Sequence, residues 1–427
     1  MIRILQISDI HWKNKLERQD AFKIIREGMI ADIKRGMLQE GMKFDCILIC
    51  GDIAFSGDKE QYEKASKFIK ELCELTHCKE DTDVFVVPGN HDKNWYSPPK
   101  AYREIINRHI IEEKDPEEAL SEWLQKRLHT AEMMFTPYKD YEAFAYPYGC
   151  SEPLMHRFNQ EGPISSTAQY DENQDLMYWE EELGKIKGYT IKLYGLNSTL
   201  YSDINDYDNS EKRKDGHKML LSRLASCGAK LQDDVVNIMM MHHPTPFFVD
   251  GNSLEAELDR LYHVQFFGHV HIASSDNNNN RIHVFSGALQ PEEMGSGSKD
   301  YNPVYNIVEL DIADGEQEDY LRMRLQERFW DGKTFKKLRA PQNFSVLLPK
   351  YTWGGTTMEK RTELPEGVSK REIRLKLINH GKAKEIINEI DSAFYDEGIT
   401  PYYNIMRFLE KVRQENLWGE LWSKMNS

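Results

Sequence analysis

The chain has 427 residues, of which 40% are hydrophobic, so it can bury one large core and a smaller appended unit. Its formal net charge of −15 argues against a broad basic surface for duplex nucleic acid, and leaves only a local basic groove for that purpose. No stretch approaches the roughly 18 apolar residues of a membrane span, and no apolar leader precedes the first strand. We therefore expect a cytoplasmic protein whose six cysteines, which form no CxxC pair, are reduced and mostly buried.

The first 90 residues alternate short apolar runs with segments of helical periodicity. Strands are predicted at 2–7, at 44–50 and from residue 84, and helices at about 18–37 and 59–75. Parallel strands joined by helices have right-handed connections, so the ends of all three strands should meet at one edge of a sheet.

The pattern changes between residues 94 and 189, where charged and aromatic segments predict an insertion that lies over this edge. Helices are expected at 101–113 and 117–134, followed by irregular sequence. Five aromatic residues cluster in this irregular part: Tyr138, Tyr141, Phe144, Tyr146 and Tyr148. Clustered aromatics usually form a small core of their own, and packing against a substrate base or sugar is the alternative.

Strands and helices alternate again after the insertion and continue to about residue 345. The predicted strands are 190–196, 235–241, a strand from residue 264, 281–285, 304–310 and 320–325, with helices near 217–225 and 253–262. The later strands should form a second, more antiparallel sheet packed on the first. A linker is predicted at 346–367, and amphipathic periodicity predicts a bundle of three or four helices at 368–427.

Polar side chains follow almost every predicted strand. Seven of them offer oxygen or nitrogen donors: Asp9, His11, Asp52, Asn90, His242, His269 and His271. Donors on alternate residues can face one centre after a strand ends, and a carboxylate such as Asp52 can bridge two cations. Imidazole and carboxylate donors select manganese, iron or zinc over calcium, and the absence of thiolates argues against a structural zinc site. The metal ions should therefore be catalytic.

These donors fall into five motifs, D-x-H, G-D, G-N-H-D, H-H-P and G-H-x-H, each of which follows an apolar run. In this order of motifs the chain resembles the calcineurin-like metallophosphoesterases over about residues 1–310. The resemblance implies an α/β fold, a two-layered β-sandwich flanked by helices, in a catalytic domain at 1–345 that carries the helical insertion and precedes the small C-terminal bundle. It also implies a dinuclear centre of two divalent metal ions, with manganese expected first and iron or zinc as alternatives.

The resemblance further implies a role for each residue. The first metal would be held by Asp9, His11, Asp52 and His271, and the second by Asp52, Asn90, His242 and His269. His242 rather than His243 is the expected ligand, because the family usually places the ligand two residues before the proline. His91 would lie near the leaving-group oxygen as the catalytic acid, with Asp92 as its orienting partner.

The implied chemistry is hydrolysis of a phosphoric ester. Two cations about 3.5 to 4 Å apart lower the pKa of a bridging water and neutralise charge on the phosphoryl oxygens. The metal-bridging hydroxide would attack in line while His91 protonates the departing alkoxide, so no nucleophilic serine or cysteine is needed. We expect a phosphodiesterase acting on a nucleotide-like or other small phosphodiester.

Two other functions stay open. A metal-dependent DNA or RNA nuclease of the same superfamily, such as a defence-system effector, would need a positive track beside the site. The basic residues of the insertion are interleaved with acidic ones, which argues against nucleic acid as the partner. An adaptor or scaffold with a vestigial metal site is the other alternative, although all seven donors and His91 are present.

The C-terminal helices carry a second resemblance, in the segments 402–409 and 417–421. They are similar to the death-like, effector-associated adaptor modules of bacterial defence proteins, which implies a protein partner for the bundle. A helical appendage that only packs against the rest of the chain is the alternative. The expected partners are thus a phosphate-ester substrate and a protein, and no membrane.

Overall fold

The computed structural model describes residues 1–14, 22–94, 134–152, 176–202, 219–226, 228–248, 251–291, 302–315 and 318–348, together with parts of 365–426. Apart from residue 134, the predicted helices at 101–113 and 117–134 lie outside these residues. Within the described segments, no helix has both the length and the apolar character that crossing a membrane requires. The five cysteines among them are free and buried, as the sequence predicts, and Cys227 lies outside.

The described residues form thirteen strands in two sheets. In chain order they are β1 (Ile2–Ile7), β2 (Cys46–Ile49), β3 (Val84–Val86), β4 (Tyr178–Ile186), β5 (Tyr189–Leu196), β6 (Val235–Met241), β7 (Val264–Phe267), β8 (Ala273–Asn278), β9 (Arg281–Ser286), β10 (Val304–Ala313), β11 (Asp319–Trp330), β12 (Phe335–Lys337) and β13 (Gln342–Leu348). The first sheet has the order β12-β11-β10-β1-β2-β3, with β13 paired to β11, and the second has the order β4-β5-β6-β7-β9-β8. Both sheets contribute to one hydrophobic core, which confirms the predicted two-layered sandwich.

Helices flank this sandwich and form the C-terminal part. They are α1 (Lys23–Glu40), α2 (Lys59–Thr76), α3 (Lys139–Ala145), α4 (Arg223–Ser226), α5 (Gly251–Leu261), α6 (Lys370–Ile378), α7 (Ala383–Ile390) and α8 (Trp418–Met425). The sequence of α2 shows why it forms: Asp58 caps its first turn by accepting from Glu60 N at 2.9 Å, and its apolar stripe, which includes Phe68 and Leu72, is buried.

The antiparallel strands do not form the second sheet, contrary to the sequence prediction. β10 pairs antiparallel with β1, where Ile4 lies opposite Val308, and β11 follows β10, so both extend the first sheet. The second sheet is parallel from β5 through β6 and β7 to β9, and antiparallel only where β4 and β8 pair at its edges. Periodicity identifies a strand but not its neighbour, because neighbours come from distant parts of the chain.

Strand β4 lies inside the segment that the sequence assigned to an insertion reaching residue 189. Consecutive glutamates at 180, 181 and 182 interrupt its apolar pattern, and this concealed the strand. Glu180 and Glu181 are nevertheless buried. The part of the chain that departs from the sandwich therefore ends before Tyr178.

The aromatic cluster before β4 belongs to the main core. Tyr138, Tyr141, Phe144 and Tyr148 are buried, and the Phe144 ring stacks on Tyr62 of α2 with 4.9 Å between ring centroids. These side chains therefore attach the segment to α2 and join the main core, whereas the sequence analysis expected a small core of their own.

Strand β13 continues to Leu348, so the domain boundary predicted near residue 345 falls inside a strand. Beyond it, α6, α7 and α8 surround a small apolar core of their own. Helix α6 also contacts β4, through an ion pair between Arg374 and Glu181.

Candidate metal centre

Five strands end at one edge of the sandwich and bring the predicted donors there. β1, β2 and β3 are parallel neighbours in the first sheet, as β6 and β7 are in the second. Beyond β1 the chain stays attached to the β2 end, since Asp9 N donates to Gly51 O at 3.1 Å and His11 N to Asp52 O at 2.9 Å. The second sheet joins them through His269 N, which donates to Asp9 Oδ2 at 3.2 Å.

One group of donors comes from the ends of β1 and β2 and from the loop after β7. Ligand atoms of Asp9, His11, Asp52 and His271 all lie within 4.8 Å of one another. His271 Nε2 is 3.1 Å from Asp9 Oδ1 and 3.2 Å from His11 Nε2, and His11 Nε2 is 3.7 Å from Asp52 Oδ2. All four side chains are buried, so they converge on one shielded point.

A second group lies on the other side of Asp52. His242 Nε2 is 3.3 Å from Asp52 Oδ2 and 3.2 Å from Asn90 Oδ1. Ligand atoms of His242, His243 and His269 lie within 4.8 Å of one another. The structure thus brings all seven predicted donors to one place, with the Asp52 carboxylate between the two groups.

The backbone at these donors adopts a conformation that ordinary residues avoid. Ten non-glycine residues in the described part of the chain have positive φ, and half of them are predicted ligands: Asp9 (53°), His11 (48°), Asp52 (50°), His269 (68°) and His271 (57°). Each such residue costs about 1 to 3 kcal/mol of strain and persists only where the surrounding structure enforces it. Strain concentrated on the donors indicates a site shaped for function.

Two glycines permit the close approach of the strand ends. A Cβ on Gly89 would lie 2.1 Å from Asp52 Oδ1, and one on Gly268 would lie 2.4 Å from Ser8 Oγ. No larger residue fits either position without displacing the donors. The glycines of the G-N-H-D and G-H-x-H motifs are therefore required by packing.

Neighbouring groups orient the donors, and sequence reasoning missed them. Ser8 Oγ lies 2.5 Å from Asp9 Oδ2 and 3.0 Å from Cys50 O, so its single proton can be donated to either acceptor. His242 Nδ1 lies 2.8 Å from the same Cys50 carbonyl, so it carries the proton and leaves Nε2 to face Asp52. The serine before the D-x-H motif was a visible signal for this role, whereas the backbone carbonyl left none.

Burial and neighbouring charges shift the pKa values of the side chains at the centre. Burial alone would raise the pKa of Asp52, but the adjacent His242 and His91 outweigh it and hold that pKa well below its usual range. Burial alone would lower the pKa of His242, but the Asp52 carboxylate raises it to about 9. Burial holds the pKa values of His11 and His269 well below their usual range. Both are therefore neutral at pH 7, the form in which imidazole binds metal.

His91 lies at the rim of the centre, and Asp92 does not orient it as the sequence predicted. The His91 ring is half-buried beside His11, with 4.8 Å between ring centroids, and its Nδ1 is 2.7 Å from Phe55 O. This carbonyl, not Asp92, holds the imidazole. The short 3₁₀ turn Asn90–Asp92 directs the Asp92 carboxylate away from it.

The Asp92 carboxylate joins the ends of β2 and β3 instead. It accepts from Ile53 N at 3.1 Å, Ala54 N at 2.8 Å and Gly89 N at 2.9 Å, and from the Tyr62 hydroxyl at 3.0 Å. Burial and the nearby Asp52 charge raise its pKa to about 6 in spite of these bonds. Asp92 is therefore a positioning residue for the loops that carry Asp52 and Asn90.

Of the adjacent histidines, His242 faces the carboxylate between the two donor groups. His243 Nδ1 is 3.0 Å from Ser198 Oγ, and the His243 ring lies 4.5 Å from the His269 ring, centroid to centroid. His243 is thus held by the loop after β5. This geometry favours His242 as the ligand, since His243 Nδ1 is engaged by Ser198.

The donor chemistry fits a pair of divalent transition-metal ions. Each group combines imidazole nitrogen with carboxylate or amide oxygen, and the described donors include no thiolate. Such mixed sets bind manganese, iron and zinc, and a carboxylate between the groups can serve both ions. The residues present therefore fit the dinuclear centre that the resemblance implied.

Comparisons with known proteins bear on the family. Residues 2–273 match the sequence model of the family described as calcineurin-like phosphoesterase, and a comparison with curated protein sequences returned no match. Solved structures also match the chain, and three of them are the following. A conserved uncharacterized protein (predicted phosphoesterase) from Streptococcus pneumoniae TIGR4 is 10% identical, with a TM-score of 0.29, over 81% of this chain and 97% of that one. A single mutant of Vps29 from Entamoeba histolytica is 9% identical, with a TM-score of 0.33, over 81% of this chain and 99% of that one. GAP50, the anchor in the inner membrane complex of Plasmodium, is 12% identical, with a TM-score of 0.38, over 82% and 89%.

The family match covers more than half of the chain and spans all five motifs, from the D-x-H at Asp9 to the G-H-x-H that ends at His271. The side chains of those motifs meet at the edge of a two-layered sandwich. The chain therefore belongs to the calcineurin-like phosphoesterase family.

Proposed function

We propose that this chain is a metal-dependent phosphoesterase that hydrolyses a nucleotide-like or other small phosphodiester. The observation that carries the proposal is the position of Asp52 between two groups of donors. Its Oδ2 atom is 3.7 Å from His11 Nε2 on one side and 3.3 Å from His242 Nε2 on the other. A carboxylate so placed can serve two ions, as hydrolysis of phosphate esters by paired metals requires.

Asp9, His11, Asp52 and His271 would hold the first ion, and Asp52, Asn90, His242 and His269 the second. Manganese is the first candidate, because the donors are imidazole, carboxylate and amide without a thiolate. Bound there, the two ions would orient the phosphoryl group and supply an activated water for in-line displacement. The strained backbone and the hydrogen bonds of Ser8 and Cys50 O would keep the donors in place.

His91 would transfer the proton to the leaving alkoxide. Its Nδ1–H donates to Phe55 O, so only Nε2 can deliver a proton to substrate, and the ring must be doubly protonated to do so. The His91 backbone N–H donates to Asp52 Oδ1 at 2.8 Å, which fixes this residue beside the carboxylate between the two donor groups. This arrangement supports an acid that acts at the rim, where the leaving group can depart.

Among the residues that the structure describes, the surroundings of the site favour a diester over a monoester. A phosphate monoester carries a second negative charge, which favours an additional cation at the site. Lys93 follows the G-N-H-D motif, but its Nζ donates to the carbonyls of Thr199, Leu200 and Ser202 at 3.0 to 3.1 Å. All three of its donors are thus used within the protein.

An activity screen with added manganese tests the proposal. The substrates are bis(p-nitrophenyl) phosphate, p-nitrophenyl phosphate, cyclic nucleotides, and single- and double-stranded DNA and RNA. Asp52→Asn should reduce turnover by orders of magnitude and lower the metal content of an otherwise folded chain. Asp81→Asn, the same change at an exposed turn, should alter neither.

The outcomes separate the alternatives. Wild-type activity and two tightly bound ions in Asp52→Asn would show that the assignment of the centre is wrong. Faster cleavage of DNA or RNA than of the small diesters would favour the nuclease. A folded chain that binds two metals and hydrolyses none of these substrates would contradict the proposed function. It would favour the alternative of an adaptor or scaffold.

A further inference from the structure

A basic pocket lies between α1 and the outer face of the first sheet, far from the metal centre. Its volume is about 210 Å³, which equals the volume of roughly seven molecules of liquid water. Arg3 in its wall lies near the start of β1, whereas Asp9 of the metal centre follows the other end of that strand. At about 3.3 Å per residue, the two sites are separated by roughly 20 Å. We call this cavity the outer pocket.

The register of the first sheet places its charges side by side. Arg3 lies opposite Glu309, and Glu309 opposite Arg324, so three neighbouring strands present one row of charges. Arg328 lies opposite Lys337 in a second row. Alternate residues of a strand share a face, so both rows of charges lie on the face of the sheet that is toward α1.

Positive charge exceeds negative charge in the wall. The basic side chains are Arg3, Arg35, Arg324, Arg328 and Lys337, and the carboxylates are Asp32 and Glu309. The surplus is three positive charges, in a chain whose formal net charge is −15. A concentration of cations on an otherwise acidic protein needs an explanation other than general solubility.

The two carboxylates hold the arginines in fixed positions. Asp32 is buried and accepts from Arg328 Nε and Nη2 at 2.8 and 2.7 Å. Glu309 accepts from Arg3 Nε at 2.8 Å and from Arg324 Nη1 at 2.9 Å. An anion would therefore meet guanidinium groups that are already ordered, which lowers the entropic cost of binding.

We propose that the outer pocket binds an anion of the size and charge of inorganic diphosphate, either free or as part of a nucleotide. The surplus positive charge suits a multiply charged anion, and the exposed Arg324 and Lys337 side chains can donate to its phosphoryl oxygens. At the rim, the Arg324 side chain is 51% exposed and Lys337 is exposed, so both can close over a ligand. The site is independent of the proposed hydrolysis.

Calorimetric titration of the full chain with inorganic diphosphate, and then with ADP, tests this proposal. EDTA is present throughout, so that no divalent ion links the ligand to the metal centre. Arg324→Gln and Lys337→Gln should each weaken binding about tenfold. Lys336→Gln makes the same charge change one residue away on β12, where Lys336 pairs with Asp331, and should leave affinity unchanged.

Asp52→Asn should also leave the affinity unchanged, because the metal centre takes no part. Tighter binding of ADP than of diphosphate would identify a nucleotide as the source of the anion, and equal binding would identify the free anion. The proposal is overturned if neither ligand binds, if Lys336→Gln weakens binding as much as Lys337→Gln, or if Asp52→Asn abolishes it. Lys337 is exposed, so its variant keeps the test valid should Arg324→Gln fail to fold.

Discussion

The ion pair between Arg374 and Glu181 should contribute strongly to the stability of this chain. Arg374 Nη1 on α6 lies 3.1 Å from Glu181 Oε1 on β4, and the side chains are only 11% and 1% exposed. Arg374→Ala would remove the guanidinium and leave the Glu181 carboxylate buried without this ion pair. Breaking one side of a buried pair costs about 3 to 5 kcal/mol, and we expect a loss near the lower figure because Arg374 keeps some contact with solvent.

Urea unfolding followed by circular dichroism measures this loss as a lower free energy of unfolding. The matched control is Lys424→Ala, which breaks a pair with Glu389 in the same C-terminal part, where the side chains are 37% and 56% exposed. Exposed pairs contribute at most about 1 kcal/mol, so the control should change stability little. Adding Glu181→Gln to Arg374→Ala should recover much of the loss, because the buried charge that Arg374 faced is then removed as well.

The predicted contribution of this ion pair is refuted if Arg374→Ala lowers stability no more than Lys424→Ala, or if Glu181→Gln deepens the loss in the double variant.

A chain truncated after Leu348 lacks the C-terminal helices and therefore also lacks this ion pair. Such a chain should hydrolyse a small chromogenic diester within a few-fold of the full-length rate, and Glu181→Gln should stabilise it. A truncated chain that folds and binds two metals but hydrolyses nothing would show that the helices complete the active site.

Three further predictions follow from individual side chains. His91→Ala should slow esters with poor leaving groups far more than nitrophenyl esters, because only the former need an acid; equal losses measured on both classes would remove that role. Gly89→Ala should lower bound metal and activity together, since its Cβ would lie 2.1 Å from Asp52 Oδ1, and metal analysis that finds two ions in an active variant would contradict this. Burial lowers the pKa of His263 from 6.5 to about 4, so the unfolded chain binds more protons between these values and stability should fall as the pH drops through that window. His263→Asn keeps an acceptor for Asn237 N and should remove up to about 3 kcal/mol of that pH dependence in unfolding measured from pH 7 to 4; identical profiles for the variant and the parent would refute the assignment.

The amino-acid sequence by itself determined which segments are strands at the functional edge and which polar residues follow them. Apolar runs that stop before Ser8-Asp9, before Gly51-Asp52 and before His242 predicted β1, β2 and β6, and the structure confirms these strands. The five motifs also identified the family and the fold class. These features are local, because the length of an apolar run and the residues that end it are sufficient to place a strand end.

Only the tertiary structure decided which strands are neighbours and what each carboxylate contacts. β10 joins β1 rather than a second antiparallel sheet, and Asp92 binds backbone amides of the β2 end rather than the adjacent His91. The outer pocket depends on Arg3 meeting Glu309, which lies 306 residues further along the chain. Such contacts follow from sheet register and side-chain packing, and no local pattern of residues records them, because they exist only once distant segments have come together.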